Sequence, residues 1–222
     1  MIGIIKLSFS EGRLGASKLE YMQKFADSQE HIIQTLAEIS EAKSGETGQH
    51  VRRVSEYCKH IALQMGVSEE TTGFFKIASM MHDVGKLMIP KDIIEKPDGL
   101  TPDEYEIVKA HTLYGEELLS KSDGQIIEMA KVIACQHHER WDGTGYPRGL
   151  KEDQIDFFAQ ITSVADVYDA LSNKRAYKPA WKPEEALNEI LKNKGTQFSP
   201  AVVDAFSAVY DKIEEVRIRY QD

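Results

Sequence analysis

Five of the seven histidines in this 222-residue chain fall in four short segments with carboxylates in or near them: Glu46-Thr-Gly-Gln-His50, His82-Asp83, His111 and His137-His138-Glu139. Asp166 stands in a further stretch that is otherwise apolar. A single histidine on an apolar stripe is commonly a satisfied core residue, but the joint pattern shifts the balance toward chemistry. His137 continues Ile126, Met129 and Ile133 at helical spacing, so it should point inward, and Asp166 lies close to Ile161, Ala165 and Tyr168. An inward carboxylate needs a counter-charge or hydrogen bonds, because an isolated buried charge costs more than a core can supply. A metal ion satisfies both residue types. Imidazole and carboxylate without thiolate suit Fe, Mn, Co, Ni or Zn. Up to eight such side chains from five segments exceed what one ion can use, so two or three ions sharing bridging ligands is the economical reading.

Spacing supports a cluster. Glu46 and His50 are four apart and share a helical face if their helix extends back that far. The neighbours His82-Asp83 and His137-His138 would point about 100° apart on a helix, which suits residues serving adjacent ions or lying at a helix end.

The elements that must position these groups are helices. Apolar residues recur at three- and four-residue steps, and no segment alternates with period two for long enough to make a sheet, so the fold class is all-α, a compact bundle of about seven or eight helices. Met22, Phe25, Ile32, Leu36 and Ile39 make one stripe, on a helix ending near Lys43. Val51, Val54, Cys58, Ile61 and Met65 make a second after the break at Ser44-Gly45. Ser68 can cap a third helix carrying Phe74, Ile77 and Met81, expected to end near Gly85 in a left-handed turn. Pro90 to Leu100 reads as a loop, and Thr101-Pro102-Asp103-Glu104 supplies a cap, a first-turn proline and a capping-box acid. Helices are expected over about Gln125 to Glu139, Asp156 to Leu171, Pro183 to Lys192 with Gly195 closing it, and Pro200 to Arg217 behind a Ser199 cap. The longest irregular piece, Arg140 to Asp153, is rich in glycine.

Three regions are expected: a tail or connector at 1–18, a linker-like first helix at 19–43, and the main domain at 44–222. That first helix resembles a signalling linker to an upstream sensor, or it simply packs on the domain. Composition narrows the partners. The net charge of −9 argues against a long nucleic acid held on a broad basic face, but leaves room for a small anionic ligand at a local positive centre. No run reaches the roughly 18 apolar residues of a membrane span, Met1-Ile-Gly-Ile-Ile is too short for a secretory signal, and Cys58 and Cys135 read as free buried thiols; the chain is expected to be cytoplasmic.

His82-Asp83-Val-Gly-Lys86 resembles the signature of the HD metal-dependent phosphohydrolases. His137-His-Glu-Arg-Trp-Asp-Gly-Thr-Gly145-Tyr146-Pro147 is similar to the extended motif of their HD-GYP subfamily, and the likeness runs from about Ile32 to Ile213. The resemblance implies an all-helical domain that hydrolyses cyclic di-GMP to linear pGpG and, in some members, on to GMP. It implies metal ligands at Glu46, His50, His82, Asp83, His111, His137, His138 and Asp166, with Asp83 bridging. Glu46 resembles the glutamate of members with three ions, and two or three divalent ions are expected, iron first and manganese second. Asp83 and Lys86 would be catalytic, the lysine reaching the scissile phosphate or the leaving oxygen. Gly145, Tyr146 and Pro147, with Arg175 and Lys178 of the Arg175-Ala-Tyr-Lys178 segment, would contact substrate, and Asp169 could orient that basic pair. Ala176 replaces the family's usual proline, and Asp98 separates Pro97 from Gly99; neither change removes a ligand. Family members commonly carry a receiver, sensor or transmembrane region upstream, so this chain is expected to be a fragment or a stand-alone domain. A diguanylate cyclase partner and a homodimer are further expectations.

Phosphodiester hydrolysis needs a strong nucleophile, charge neutralisation on the phosphoryl oxygens and help for the departing 3′ oxygen. A hydroxide bridging two ions would meet the first need and the ions themselves the second. Two other readings stay open: hydrolysis of another cyclic dinucleotide such as a cyclic GMP-AMP, and a catalytically silent module that binds the nucleotide or a partner protein.

Overall fold

The computed structural model describes residues 20, 24, 28–45, 47–96, 99–173 and 180–221, and among them no strand occurs. Helix α1 covers residues 28–42, followed by α2 (Gly48–Gln64) and α3 (Glu69–Ser79). A 3-10 turn at Val84–Met88 and the short α4 (Lys91–Ile94) lead to α5 (Pro102–Lys109), α6 (His111–Leu119) and α7 (Gln125–Gln136). After the irregular stretch come α8 (Phe157–Ser172), α9 (Pro183–Lys192), α10 (Pro200–Ala208) and α11 (Tyr210–Arg219).

Helix α2 runs through the middle because its stripe Val51, Val54, Cys58 and Ile61 is wholly buried, and it packs on α3, α8, α10 and α11. Helix α8 is apolar on most of its circumference and is buried accordingly, with Ile161, Val164, Ala165 and Tyr168 in the core beside Tyr57, Phe75, Ile133 and Phe206. This apolar framework holds the polar groups that follow. Cys58 and Cys135 are free and buried, and burial pushes each thiol up to about 12. Among the described residues no helix is long and apolar enough to cross a membrane.

Several sequence expectations need correction. The conspicuous stripe of α1 faces outward: Ile32, Leu36 and Ile39 are 58%, 46% and 54% exposed. The helix packs instead through the buried Ala37, Ser40 and Glu41, with Ile33 partly buried against the core. Met22 and Phe25 lie outside the described residues. Helix α3 stops at Ser79, ahead of the His82-Asp83 pair. Gly85 is not a left-handed cap; a Cβ there would sit 1.9 Å from the His111 carbonyl oxygen, so its glycine permits close approach of α6. Helix α7 ends at Gln136, before His137. The last expected helix is two, α10 and α11, divided at Val209, whose N–H bonds back to Phe206 and closes α10 in a tight turn. Ser199 stands at the cap position of α10 without a side-chain cap bond. The Thr101 capping box and the Ser68 cap form as expected.

Candidate metal centre

Both motif pairs lie where a helix stops. His82 and Asp83 follow α3 in a turn, and His137 caps α7 with His138 next to it. There adjacent residues are free of the helical 100° offset and can face one centre. His50 comes from the first turns of α2, His111 from the start of α6 and Asp166 from the middle of α8. The buried residues His50, His82, Asp83, His111 and His137 meet with the half-buried His138 and with Asp166 in the interior.

Asp83 is the hub. Its Oδ1 is 3.1 Å from His111 Nε2 and 3.6 Å from His137 Nε2, while its Oδ2 is 2.6 Å from Lys86 Nζ and 3.4 Å from His82 Nε2. Asp166 Oδ1 is 3.6 Å from His50 Nε2 and 4.0 Å from His82 Nε2. Two groups of donor atoms result: Asp83, His111, His137 and His138 in one half, and Glu41, His50 and His82 in the other.

Nδ1 of three rings is turned to a backbone carbonyl: His82 to Ser79 O at 2.9 Å, His111 to Val108 O at 2.7 Å, and His137 to Ile133 O and Ala134 O at 3.1 Å each. A carbonyl only accepts, so Nδ1 carries the hydrogen and Nε2 of each ring is directed into the centre. His82 Nε2, His111 Nε2, His137 Nε2 and Asp83 Oδ1 are all buried and lack a hydrogen-bond partner. Leaving such atoms unpaired is costly, and all four point to the same small space. Electrostatics agree. Burial works against charge on His82, yet Asp83, Asp166 and Glu41 lift it to about 9, so the space favours positive charge. Burial together with its neighbours His137 and His111 holds His138 well below the usual range, which keeps that ring neutral. Asp83 is likewise held well below the carboxylate range, with Lys86 and His82 outweighing the cost of burial. The residues present therefore fit a group of divalent ions: imidazole Nε2 atoms and carboxylates, without thiolate.

Glu41, which the motifs do not mark, enters this centre. It is 1% exposed, with Oε1 4.0 Å from His82 Nε2 and Oε2 3.0 Å from Lys86 Nζ. A signal existed: Ala37, Ser40 and Glu41 are spaced three and four apart on one helical face, the face that packs inward. Glu46, Arg175 and Lys178 lie outside the described residues. The pair Arg175 and Lys178 that Asp169 is expected to orient lies outside the described residues; among those described, Asp169 accepts from His50 Nδ1 at 2.8 Å, from Arg53 Nε at 2.7 Å and Arg53 Nη2 at 3.0 Å, and from Asn173 Nδ2 at 3.0 Å.

Beside His137 and His138 the Gly-Tyr-Pro loop closes a cavity of about 410 Å³ lined by Tyr105, Lys109, Arg140 and Tyr146 among others. Buried Glu139 organises the loop by accepting from the backbone N–H of Arg148 at 2.7 Å and of Leu150 at 3.0 Å. Gly145 is obligatory there, since a Cβ would lie 2.3 Å from the Arg140 nitrogen. Tyr146 precedes a cis peptide to Pro147, and its ring stacks on His138 with centroids 4.8 Å apart. Lys109 Nζ lies 5.0 Å from the Tyr105 ring centre and 5.5 Å from that of Tyr146. Sequence reasoning missed Lys109 and Tyr105 because they belong to a surface helix outside every motif.

The family model described as HD domain matches residues 32–202. Among curated proteins, the chain is 41% identical over 203 residues to a cyclic di-GMP phosphodiesterase of Thermotoga maritima, covering 91% of this chain and 55% of that protein. It is 39% identical over 204 residues to 3′3′-cGAMP-specific phosphodiesterase 2 of Vibrio cholerae, covering 92% of this chain and 39% of that one. The chain thus spans only about half the length of these relatives or less. In fold it is similar to Bd1817 of Bdellovibrio bacteriovorus, an HDG"Y"P protein, with a TM-score of 0.59 and 21% identity over 75% of this chain and 54% of that one. The cyclic GMP-AMP phosphodiesterase V-cGAP3 of Vibrio cholerae gives a TM-score of 0.58 at 17% identity over 86% and 54% of the two chains. With the His82-Asp83 pair at the hub of the centre and a family match over most of its length, the chain belongs to the HD domain family, and the Gly145-Tyr146-Pro147 loop beside the centre is the feature by which it resembles the HD-GYP subfamily.

Proposed function

We propose that the chain is a metal-dependent phosphodiesterase that opens cyclic di-GMP to linear pGpG, the product that some family members carry on to GMP. The observation that carries this reading is the convergence of three unpaired imidazole Nε2 atoms on Asp83, next to a cavity walled by the Gly-Tyr-Pro loop. The relatives named above act on cyclic dinucleotides, which supports the substrate class. The proposed ligands are Glu46, His50, His82, Asp83, His111, His137, His138 and Asp166, with Glu41 added, for two or three ions, iron first and manganese second. When bound, the ions supply an activated nucleophile and neutralise charge on the phosphoryl oxygens.

The chain's own groups account for the rest. Lys86 is held 2.6 Å from Asp83 and 3.0 Å from Glu41. Although burial disfavours its charge, these two carboxylates more than compensate, so it stays an ammonium. An ammonium at that place can stabilise charge developing on the departing 3′ oxygen. Tyr146 presents an aromatic face to the cavity while Lys109 and Arg140 add positive charge to its wall, a combination suited to a purine and a phosphate. Gly145, Pro147, Arg175 and Lys178 complete the proposed substrate contacts, and the cytoplasm is the proposed compartment.

The test is chromatography of products after anaerobic loading with Fe(II) or Mn(II). Conversion of cyclic di-GMP to pGpG supports the reading, and binding without conversion of any cyclic dinucleotide overturns it in favour of a silent binding module. A second substrate reading has its own support, since a relative specific for 3′3′-cGAMP is 39% identical. A higher kcat/KM for that nucleotide in the same assay would establish it.

A further inference from the structure

Four histidines of the centre are oriented in two different ways. His82, His111 and His137 are each turned by a carbonyl three or four residues back in the chain. His50 is turned by a carboxylate 119 residues away: its Nδ1 meets Asp169 Oδ2 at 2.8 Å. That carboxylate is itself clamped. Arg53 approaches it with two prongs, Nε to Oδ1 at 2.7 Å and Nη2 to Oδ2 at 3.0 Å, and Asn173 Nδ2 adds a fourth bond at 3.0 Å. Arg53 is in turn anchored by its Nη1, which donates to the Tyr220 carbonyl at 2.7 Å, just past α11. His50, Arg53 and Asp169 are each no more than 2% exposed.

A buried arginine and a buried aspartate joined by a planar two-point contact form a costly arrangement that apolar residues of like volume could replace without loss of stability. The pair is therefore expected to serve something besides folding. Its geometry shows what: Asp169 is aimed at Nδ1 of His50, so that Nε2 is presented to Asp166 and the space beside His82. His50 and Arg53 are three apart on α2, so a single helical face carries both the ring and the clamp that steadies its partner.

We propose that Asp169 and Arg53 are positioning residues that orient His50 as a ligand, so that the ion held by the Glu41, His50 and His82 half of the centre depends on them while the ion held by Asp83, His111, His137 and His138 does not. This rests on the metal reading of the site given above. Removing an outer partner of a metal-ligating histidine commonly weakens metal affinity by about 10–100-fold, and the loss here should fall on one binding phase.

The experiment titrates Mn(II) into the metal-free 222-residue chain against a chromophoric chelator, for wild type, Asp169→Asn, Arg53→Met and Arg53→Lys, with thermal melting of each metal-free form. The wild type should show at least two binding phases. In Asp169→Asn and Arg53→Met one phase should weaken by about 10–100-fold with the other unmoved, and Arg53→Lys, which keeps the charge but loses the fork, should fall between. Unchanged phases in Asp169→Asn, or a uniform weakening of all phases that tracks the drop in melting temperature, would overturn the proposal. A wild type that binds no Mn(II) would overturn the metal reading itself, so the two failures are distinguishable.

Discussion

The two halves of the centre are built differently. The half around Asp83 is assembled from local geometry: its imidazoles sit at helix ends, and the tautomers of His111 and His137 are set by carbonyls within four residues. The half around His50 shares that local device at His82, turned by the Ser79 carbonyl, but its other members are brought in from a distance. Its ring is set by Asp169, its acid Glu41 comes from α1, and its clamp reaches a carbonyl beyond α11. Local support survives small movements of the fold, whereas support from separate helices depends on their packing. The His50 half is thus the part of the centre through which changes in α1 or α11 could reach the chemistry.

The largest effect expected is at the hub shared by the two halves. Asp83→Ala should abolish turnover and lower bound metal; full activity with unchanged metal content would remove Asp83 from the centre. Gly85→Ala comes next, because the new Cβ would lie 1.9 Å from the His111 carbonyl, a backbone atom that cannot yield without moving α6. A loss of about 3 kcal/mol or more in chemical denaturation is expected, together with weaker metal binding in the Asp83 half. A wild-type unfolding midpoint would show that α6 can shift freely.

Lys86→Ala sharpens the comparison from the side of chemistry. Its kcat should fall by about 10²–10³-fold with metal retained in both halves, and loss of metal would show instead that the lysine is structural. Glu41→Gln deprives Lys86 of a charged partner 3.0 Å away, which should destabilise the metal-free chain by about 1–3 kcal/mol and weaken only the His50-half ion. Thr101→Ala is the smallest: loss of the capping box at the start of α5 should cost about 1 kcal/mol, read by thermal melting, and leave kcat unchanged.

What could be read in the sequence follows the same division. The all-α fold, the Thr101 box and the ends of α9 were legible because caps and periodicity are local signals. So was the gathering of His82, Asp83, His111, His137 and His138, whose types and spacing have few other uses. The inward face of α1 was not, because Ile32, Leu36 and Ile39 advertise a stripe that faces solvent while Ile33, Ala37, Ser40 and Glu41 do the packing. The spacing of Ala37, Ser40 and Glu41 marks a shared face, but the partners of Glu41 and the Asp169–Arg53 clamp were hidden, because nothing near them in the chain reveals contacts 41 or more residues away. The division at Val209 and the true purpose of Gly85 likewise depend on tertiary contacts that periodicity does not carry.

The most direct test of the central claim is a metal count paired with turnover on the anaerobically purified chain, before and after a chelator. Two or three ions per chain, with cyclic di-GMP hydrolysis lost on chelation and restored by Fe(II) or Mn(II), is the predicted result. Hydrolysis that persists at full rate in metal-free protein, or a chain that takes up no divalent ion at all, would contradict it.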